Sequence, residues 1–289
     1  MRILRAIMIG DVVGDPGLEV LERRLPLLIK ENSVDFVVVN GENTAAGFGL
    51  TAVHLQRILA AGADVVSSGN HIWEKREFWP VLDAEQRVLR PMNYPEGSSG
   101  QKTAGRGWVK LEKPSPWGGP AIAWLVLNLQ GREFMPTLDC PFRAFDTFDA
   151  AWRDSAHETP DTEGKPPEGI PDKPIILVDF HAESSREKEA LAYYLDGRVS
   201  VVAGTHTHVQ SADERLLPKG SAFITDLGMC GVLDGVIGMD PKICLDRARN
   251  QVLYRMEVAA PAEDSKTAVQ GIIVEFDGET RKTLSVRRL

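Results

Sequence analysis

Ile3-Leu4-Arg5-Ala6-Ile7-Met8-Ile9-Gly10-Asp11 begins as an apolar strand and ends on a carboxylate. The run from Ile3 to Ile9 is rich in branched and apolar side chains, as a packed strand requires. Gly14-Asp15-Pro16-Gly17 then reads as a turn. Leu18, Leu21, Leu25 and Leu28, three or four residues apart, predict a helix with one apolar stripe. Pro26 lies inside that pattern and marks either a kink or the helix's effective start. The same rhythm repeats outward from here. Phe36 to Val39 is a second strand, ending at Asn40-Gly41-Glu42. Thr51 caps a helix bearing Leu55, Ile58 and Leu59, which stops at Gly62, and Val65-Val66 leads to Gly69-Asn70-His71.

Strands alternating with helices at this spacing imply βαβ units and a parallel sheet. The middle of the chain departs from that pattern. Trp108 to Leu111 and Ile122 to Leu129 read as strands with no helix between them, which predicts an antiparallel portion. Residues 153–173 are polar and proline-rich and read as a solvated loop insertion. The βα rhythm then resumes. Ile175 to Val178 runs to His181, and Ser184-x-x-Glu187 has the form of a capping box for a helix carrying Ala190, Leu191 and Tyr194. Val199 to Val202 runs to Gly204-Thr205-His206, and Ala222 to Ile224, Val252 to Met256 and Ile272 to Phe276 are the remaining expected strands. One domain spanning 1–289 is expected, since both halves can serve one sheet system.

The chain has 289 residues, 43% hydrophobic and 26% charged, a composition that supports a sizeable core. With 41 acidic against 33 basic side chains, the net charge of −8 argues against an extended nucleic-acid surface, which needs a basic field. No apolar stretch is long enough to span a bilayer and no signal-peptide layout is present. Cys140, Cys230 and Cys244 form no Cys-x-x-Cys pair and read as packed or idle thiols. A cytoplasmic location is the expectation.

Position makes the polar residues informative. Asp11, Glu42, Asn70, His181 and His206 each fall within three residues of the carboxyl end of an expected strand. In a parallel sheet these ends share one rim, beyond which ligands bind. His208 lies two residues past His206, so in extended chain both rings face the same side, and Asn43 directly follows Glu42. Carboxylate, amide oxygen and imidazole together suit a hard or borderline metal ion. Seven such donors exceed what one ion with an open position takes, and they suit two ions sharing a bridging carboxylate. Individually each has an ordinary explanation: a strand-end Asp is a common cap, and an Asn after Gly a common turn residue. His54, on a helix, and His157, in the polar stretch, read as surface or structural. Asn93 and Tyr94 read as a structural loop or as part of the substrate side. The Gly10 to Gly17 turn does not match a dinucleotide-binding Gly-x-Gly-x-x-Gly, and Asp11 there favours a cation over a phosphate.

Five ordered segments resemble the calcineurin-like metallophosphoesterases, and in detail their YmdB-like subgroup. They are Ile9-Gly10-Asp11-Val12-Val13-Gly14, Asn40-Gly41-Glu42-Asn43, Gly69-Asn70-His71, Asp179-Phe180-His181-Ala182-Glu183 and Gly204-Thr205-His206-Thr207-His208. The resemblance implies a four-layer α/β/β/α sandwich with two mixed sheets. It also implies that Asp11, Asn43 and His208 hold one ion, that Asn70, His181 and His206 hold the other, and that Glu42 bridges them. His71 resembles the family's general acid. Implied too is a phosphodiesterase acting on small cyclic nucleotides such as 2′,3′-cyclic nucleoside monophosphates, by in-line attack of a metal-activated hydroxide. By resemblance alone the chain is expected to form a homo-oligomer.

Three positions depart from the wider superfamily. Val13 stands where a histidine is usual, Glu42 where the bridging residue is usually Asp, and Ile72 where an acid commonly follows Asn-His. Asn43 in place of the missing histidine favours iron or manganese as the metal. What orients the His71 ring is left open. Two alternatives stand beside the hydrolase: a regulatory protein that binds metal and nucleotide with little turnover, and a barrel-type amidohydrolase. The latter places its His-x-His at the end of the first strand, where this chain has Asp11.

Overall fold

The computed structural model describes residues 2–97, 102–157 and 174–289. The first strand, β1 (Ile3–Val12), is flanked on one edge by β2 (Phe36–Asn40), which in turn pairs with β3 (Val65–Ser67), all parallel. Its other edge is shared. The antiparallel β12 (Gly271–Asp277) covers Ile3 to Ile9, and β10 (Met229–Val232) runs parallel beside Asp11 and Val12. β11 (Thr267–Val269) and β13 (Thr283–Arg288) close this sheet. The second sheet has the order β4 (Trp108–Lys113), β5 (Ile122–Gln130), β6 (Ile175–His181), β7 (Val201–Thr205), β9 (Ala222–Ile224), β8 (Arg215–Leu216). β5, β6, β7 and β9 are parallel, with antiparallel strands at both edges.

The two sheets face each other across a core in which alternation is visible residue by residue. Leu4, Ala6 and Met8 of β1 and Phe36 and Val38 of β2 meet Trp124, Val126, Leu177 and Val201 of the second sheet. Phe36 stacks on Trp124 with ring centroids 4.7 Å apart. The opposite face of the first sheet, including Ile7, Ile9 and Val39, packs on α1 (Gly14–Asn32) and α2 (Ala52–Ala60). The outer face of the second, including Leu125, Leu127, Val178 and Phe180, packs on α4 (Pro141–His157) and α5 (Ser185–Leu195). Helix, sheet, sheet, helix is the layering expected above.

One irregularity in β1 sets the site. Ile9 pairs with Val39 but Asp11 pairs with Asn40, so two residues of β1 oppose one of β2. This bulge flips the alternation. Val12 consequently packs with Ile7 and Ile9 on the helical side, and Asp11 turns toward the space between the sheets.

Several expectations are corrected. Gly14-Asp15-Pro16-Gly17 is the first turn of α1, not a turn before it. A proline there loses no helical hydrogen bond, and Asp15 complements the helix dipole. The helix also runs through Pro26, which is exposed, so water can reach the carbonyl left without its usual donor. Val252 to Met256 is no strand: no partner chain runs beside it, and Leu253 is 84% exposed. The polar insertion begins later than 153, because α4 continues to His157, and its remainder, 158–173, lies outside the described residues. α4 itself carries Phe142, Phe145, Phe148 and Trp152 at helical spacing, a stripe not assigned to a helix from sequence. The unassigned elements also include β10, β13, the short α3 (Trp79–Ala84) and α6 (Pro241–Asn250).

Candidate metal centre

The carboxyl ends of β1, β2, β3, β6 and β7 meet at one rim, and all seven expected donors lie there. Asp11, Glu42 and His181 are fully buried, Asn43 and His208 nearly so, and Asn70, His71 and His206 are half-buried. His181 Nε2 stands 2.9 Å from Glu42 Oε1, 3.2 Å from Asn70 Oδ1 and 3.0 Å from His206 Nδ1. Glu42, His181 and His206 offer donor atoms that all lie within 4.8 Å of one another. On the adjoining side, His208 Nε2 and His181 Nδ1 each lie 3.9 Å from Asp11 Oδ1, and the His206 amide donates to Asp11 Oδ2.

The hydrogen bonds around the three imidazoles set which nitrogen faces into the site. Thr205 Oγ1 donates to Asp179 Oδ1 at 2.7 Å and so accepts from His181 Nδ1 at 2.9 Å. His208 Nδ1 donates to the Ile237 carbonyl at 2.9 Å. His206 Nε2 faces Glu183 Oε2 at 3.2 Å. An acceptor on one ring nitrogen leaves the other free to bind a metal. His181 Nε2, His206 Nδ1 and His208 Nε2 therefore all turn inward, where each can ligate an ion once it carries no proton. The amide of Asn43 is fixed in the same sense: its nitrogen donates to the Gly47 carbonyl at 2.9 Å, leaving Oδ1 inward.

Lone pairs converging without donors are unfavourable. Asp11 Oδ1, Glu42 Oε1 and Asn43 Oδ1 are buried with no hydrogen-bond partner. The electrostatics agree. Burial alone would lower the His181 pKa, yet the carboxylates of Glu42, Asp11 and Asp179 hold it up at about 9. Burial raises Asp11. His206 is pushed down to about 3 by burial and by His181, so its ring stays neutral. The cavity thus attracts positive charge: in the metal-free protein a proton on His181 answers the carboxylates, an incoming cation would displace it, and the donor set fits metal ions.

His71 follows Asn70 in a short 3-10 turn (Asn70–Trp73), and its amide donates to Glu42 Oε2 at 3.0 Å. Its Nδ1 lies 3.5 Å from Glu74 Oε1, and the Phe48 ring packs edge-on at 5.0 Å. Glu74, three residues on, and Phe48 thus contact the ring where an acid directly after His71 is lacking.

Other residues were not foreseen. Asp179 accepts from Asn40, Ser67 and Thr205 and joins both sheets beneath His181. The signal was present, since Asp179 and His181 alternate onto one face of β6. Asn93 is structural: it donates to the carbonyls of Gln130 and Asp139 and accepts from the Gln130 amide. Tyr94 hydrogen-bonds Gln130 Oε1 at 3.3 Å. Thr51 caps the helix that carries His54, its Oγ1 lying 2.7 Å from His54 Nδ1, and His54 Nε2 faces Asp15. A cavity of about 870 Å³ between β4 and α4, lined by Trp108, Phe148 and Trp152, includes none of the seven donors.

Comparison with known proteins points to one family. A profile of the YmdB-like protein family matches residues 7–289. A 2′,3′-cyclic-nucleotide 2′-phosphodiesterase of Bacillus subtilis is 40% identical over 286 residues, covering 99% of this chain and 96% of that protein. A putative phosphatase/phosphodiesterase of Mycoplasma genitalium is 32% identical, over 84% of this chain and 78% of its own. Among solved structures, a hypothetical protein from Thermus thermophilus superposes with TM-score 0.80 at 34% identity, over 99% of this chain and 98% of that one. A phosphatase from Mycoplasma pneumoniae gives TM-score 0.83 at 29% identity, over 100% and 93%. With the family profile and the Bacillus relative both spanning nearly its full length, this chain belongs to the YmdB-like protein family.

Proposed function

We propose that this protein is a dinuclear metal-dependent phosphodiesterase that hydrolyses small cyclic nucleotides, 2′,3′-cyclic nucleoside monophosphates among them. The observation that carries the metal centre is the set of three imidazoles, each with its outer nitrogen tied to an acceptor and its inner nitrogen turned into a site of buried, unpartnered oxygens. The substrate class follows the printed activity of the Bacillus relative. Asp11, Asn43 and His208 are assigned to one ion, Asn70, His181 and His206 to the other, and Glu42 to both, with iron or manganese the best match to this oxygen and imidazole set. Residues 1–289 are read as one catalytic domain. Among the described residues no helix is long and apolar enough to cross a membrane, and a cytoplasmic site of action suits a nucleotide substrate.

Bound ions would neutralise the anionic phosphodiester and make water more acidic. The chain's own groups supply the rest. His71 is assigned to give its proton to the departing oxygen, opposite the attacking one, and Glu74 with Phe48 sets the ring's orientation. Turnover of 2′,3′-cAMP with Mn²⁺ tests this directly. His71→Ala is expected to lower kcat by about 10²–10⁴-fold with KM and metal content little changed. Nucleotide binding without turnover in the parent protein would instead favour a regulatory role. Asp11→Asn removes one negative donor and is expected to lower metal content and activity together. Unchanged occupancy by elemental analysis would remove Asp11 from the ligand set.

A further inference from the structure

Next to the metal centre, a charged pair outside the seven donors holds the segment that presents two of them. Lys188 of α5 is 1% exposed, Asp226 is 2% exposed, and Lys188 Nζ donates to Asp226 Oδ2 at 2.8 Å. A buried ion pair contributes little net stability over apolar packing, so a contribution to stability alone does not account for its place here. Its connections do. Asp226 Oδ2 also accepts from the Thr207 amide at 3.2 Å, and Thr207 stands between His206 and His208. Both histidines have left-handed backbone, with φ of 103° and 64°, a conformation that persists only where surrounding contacts impose it. Asp226 Oδ1 accepts from the Gly228 amide at 2.9 Å, and the Gly228 carbonyl accepts from the Asp11 amide at 3.1 Å. A Cβ on Gly204 would lie 1.8 Å from the Thr225 carbonyl oxygen and 2.9 Å from Lys188 Cδ, so this turn and the pair are packed as one unit.

We propose that Lys188 and Asp226 are positioning residues that hold the His206-Thr207-His208 turn and the Asp11 strand end in ligating geometry before any ion arrives. Asp226 gathers the two backbone amides, and Lys188 supplies the charge that lets a carboxylate sit buried beside Asp11. This rests on the metal assignment made above.

The double variant Lys188→Met/Asp226→Asn removes both charges while keeping side-chain volume. Mn²⁺ affinity and stoichiometry by calorimetry, with Tm measured on the metal-stripped protein, separate positioning from stability. The expected result is a Kd for Mn²⁺ raised by about tenfold or more, a Tm within roughly 5 °C of the parent, and recovery of affinity in Lys188→Arg, which keeps the pair. Parent-like Mn²⁺ affinity in the double variant would overturn the proposal. A parent that bound no Mn²⁺ would overturn the metal assignment itself. A second measurement needs no variant. In the metal-stripped parent the Thr207 amide is expected to exchange at least about 100-fold more slowly than an unstructured amide, and unprotected exchange there would also overturn the proposal.

Discussion

Glu42→Gln is expected to reduce kcat/KM by roughly 10³-fold or more, about 4 kcal/mol, while leaving the fold intact. The substitution is isosteric and keeps an oxygen that can accept from the His71 amide, now 3.0 Å from Oε2. It removes the single negative charge assigned to both ions in the proposed centre. Glu42 is fully buried, and its Oε1 lies 2.9 Å from His181 Nε2 without the alignment of a hydrogen bond. Burial would raise its pKa, but the charge and close contact of His181 together with His71 and its amide hold it low, at about 2. A carboxylate kept ionised in so dry a place is poised for cations. Elemental analysis beside the kinetics should show that both metals are depleted. His208→Ala, which removes a donor assigned to one ion only, should be milder; if it proves the more damaging, Glu42 is not the bridge.

Gly69→Ala should cause the second large loss, through a methyl group added at a distance from every donor atom in sequence but one. A Cβ on Gly69 would stand 2.0 Å from His181 Cδ2 and 2.3 Å from its Nε2. His181 cannot yield easily, since its ring is fully buried and Nδ1 is tied to Thr205. The ring or the Gly69-Asn70 backbone must shift, and a displacement near 1 Å at a reacting centre costs about 10²-fold in rate. Overpacking should also destabilise the fold by about 1–3 kcal/mol. Gly231→Ala is the control, because a Cβ there meets only ordinary contacts, Val13 Cβ at 3.5 Å being the nearest. Equal activity in the Gly69 and Gly231 variants, by the same cyclic-nucleotide assay, would show that the ring has more freedom than its neighbours suggest.

The donors and their rim were legible because strand ends announce themselves. Apolar runs such as Phe36 to Val39 and Ile175 to Val178 stop on polar residues, and parallel strands place those residues together. What could not be read was anything set by contact between distant segments. The inward turn of His208 Nε2 depends on the Ile237 carbonyl, and that of His181 Nε2 on Thr205 being committed to Asp179. Neither dependence leaves a local pattern. Short strands such as β10, four residues long, are fixed by their neighbours and carry too few residues for periodicity. Val252 to Met256 shows the converse error. Apolar composition satisfied a strand template, but the segment found no ladder partner and stayed at the surface. Pro26 and Pro16 misled for a different reason, since what a proline costs a helix depends on whether its turn is terminal or solvated.

The bulge at Gly10 gives β1 two independent tasks. Upstream of it, residue parity decides which side chains meet the opposite sheet and which meet the helices. Downstream the parity is reset, so the orientation of Asp11 no longer follows from the strand's hydrophobic pattern. Swaps among apolar residues in the first half of β1 can therefore tune stability without rotating the carboxylate. A regular strand that paired Gly10 with Asn40 would instead turn Asp11 toward α1, converting a proposed ligand into a buried, unneutralised charge in a nonpolar layer.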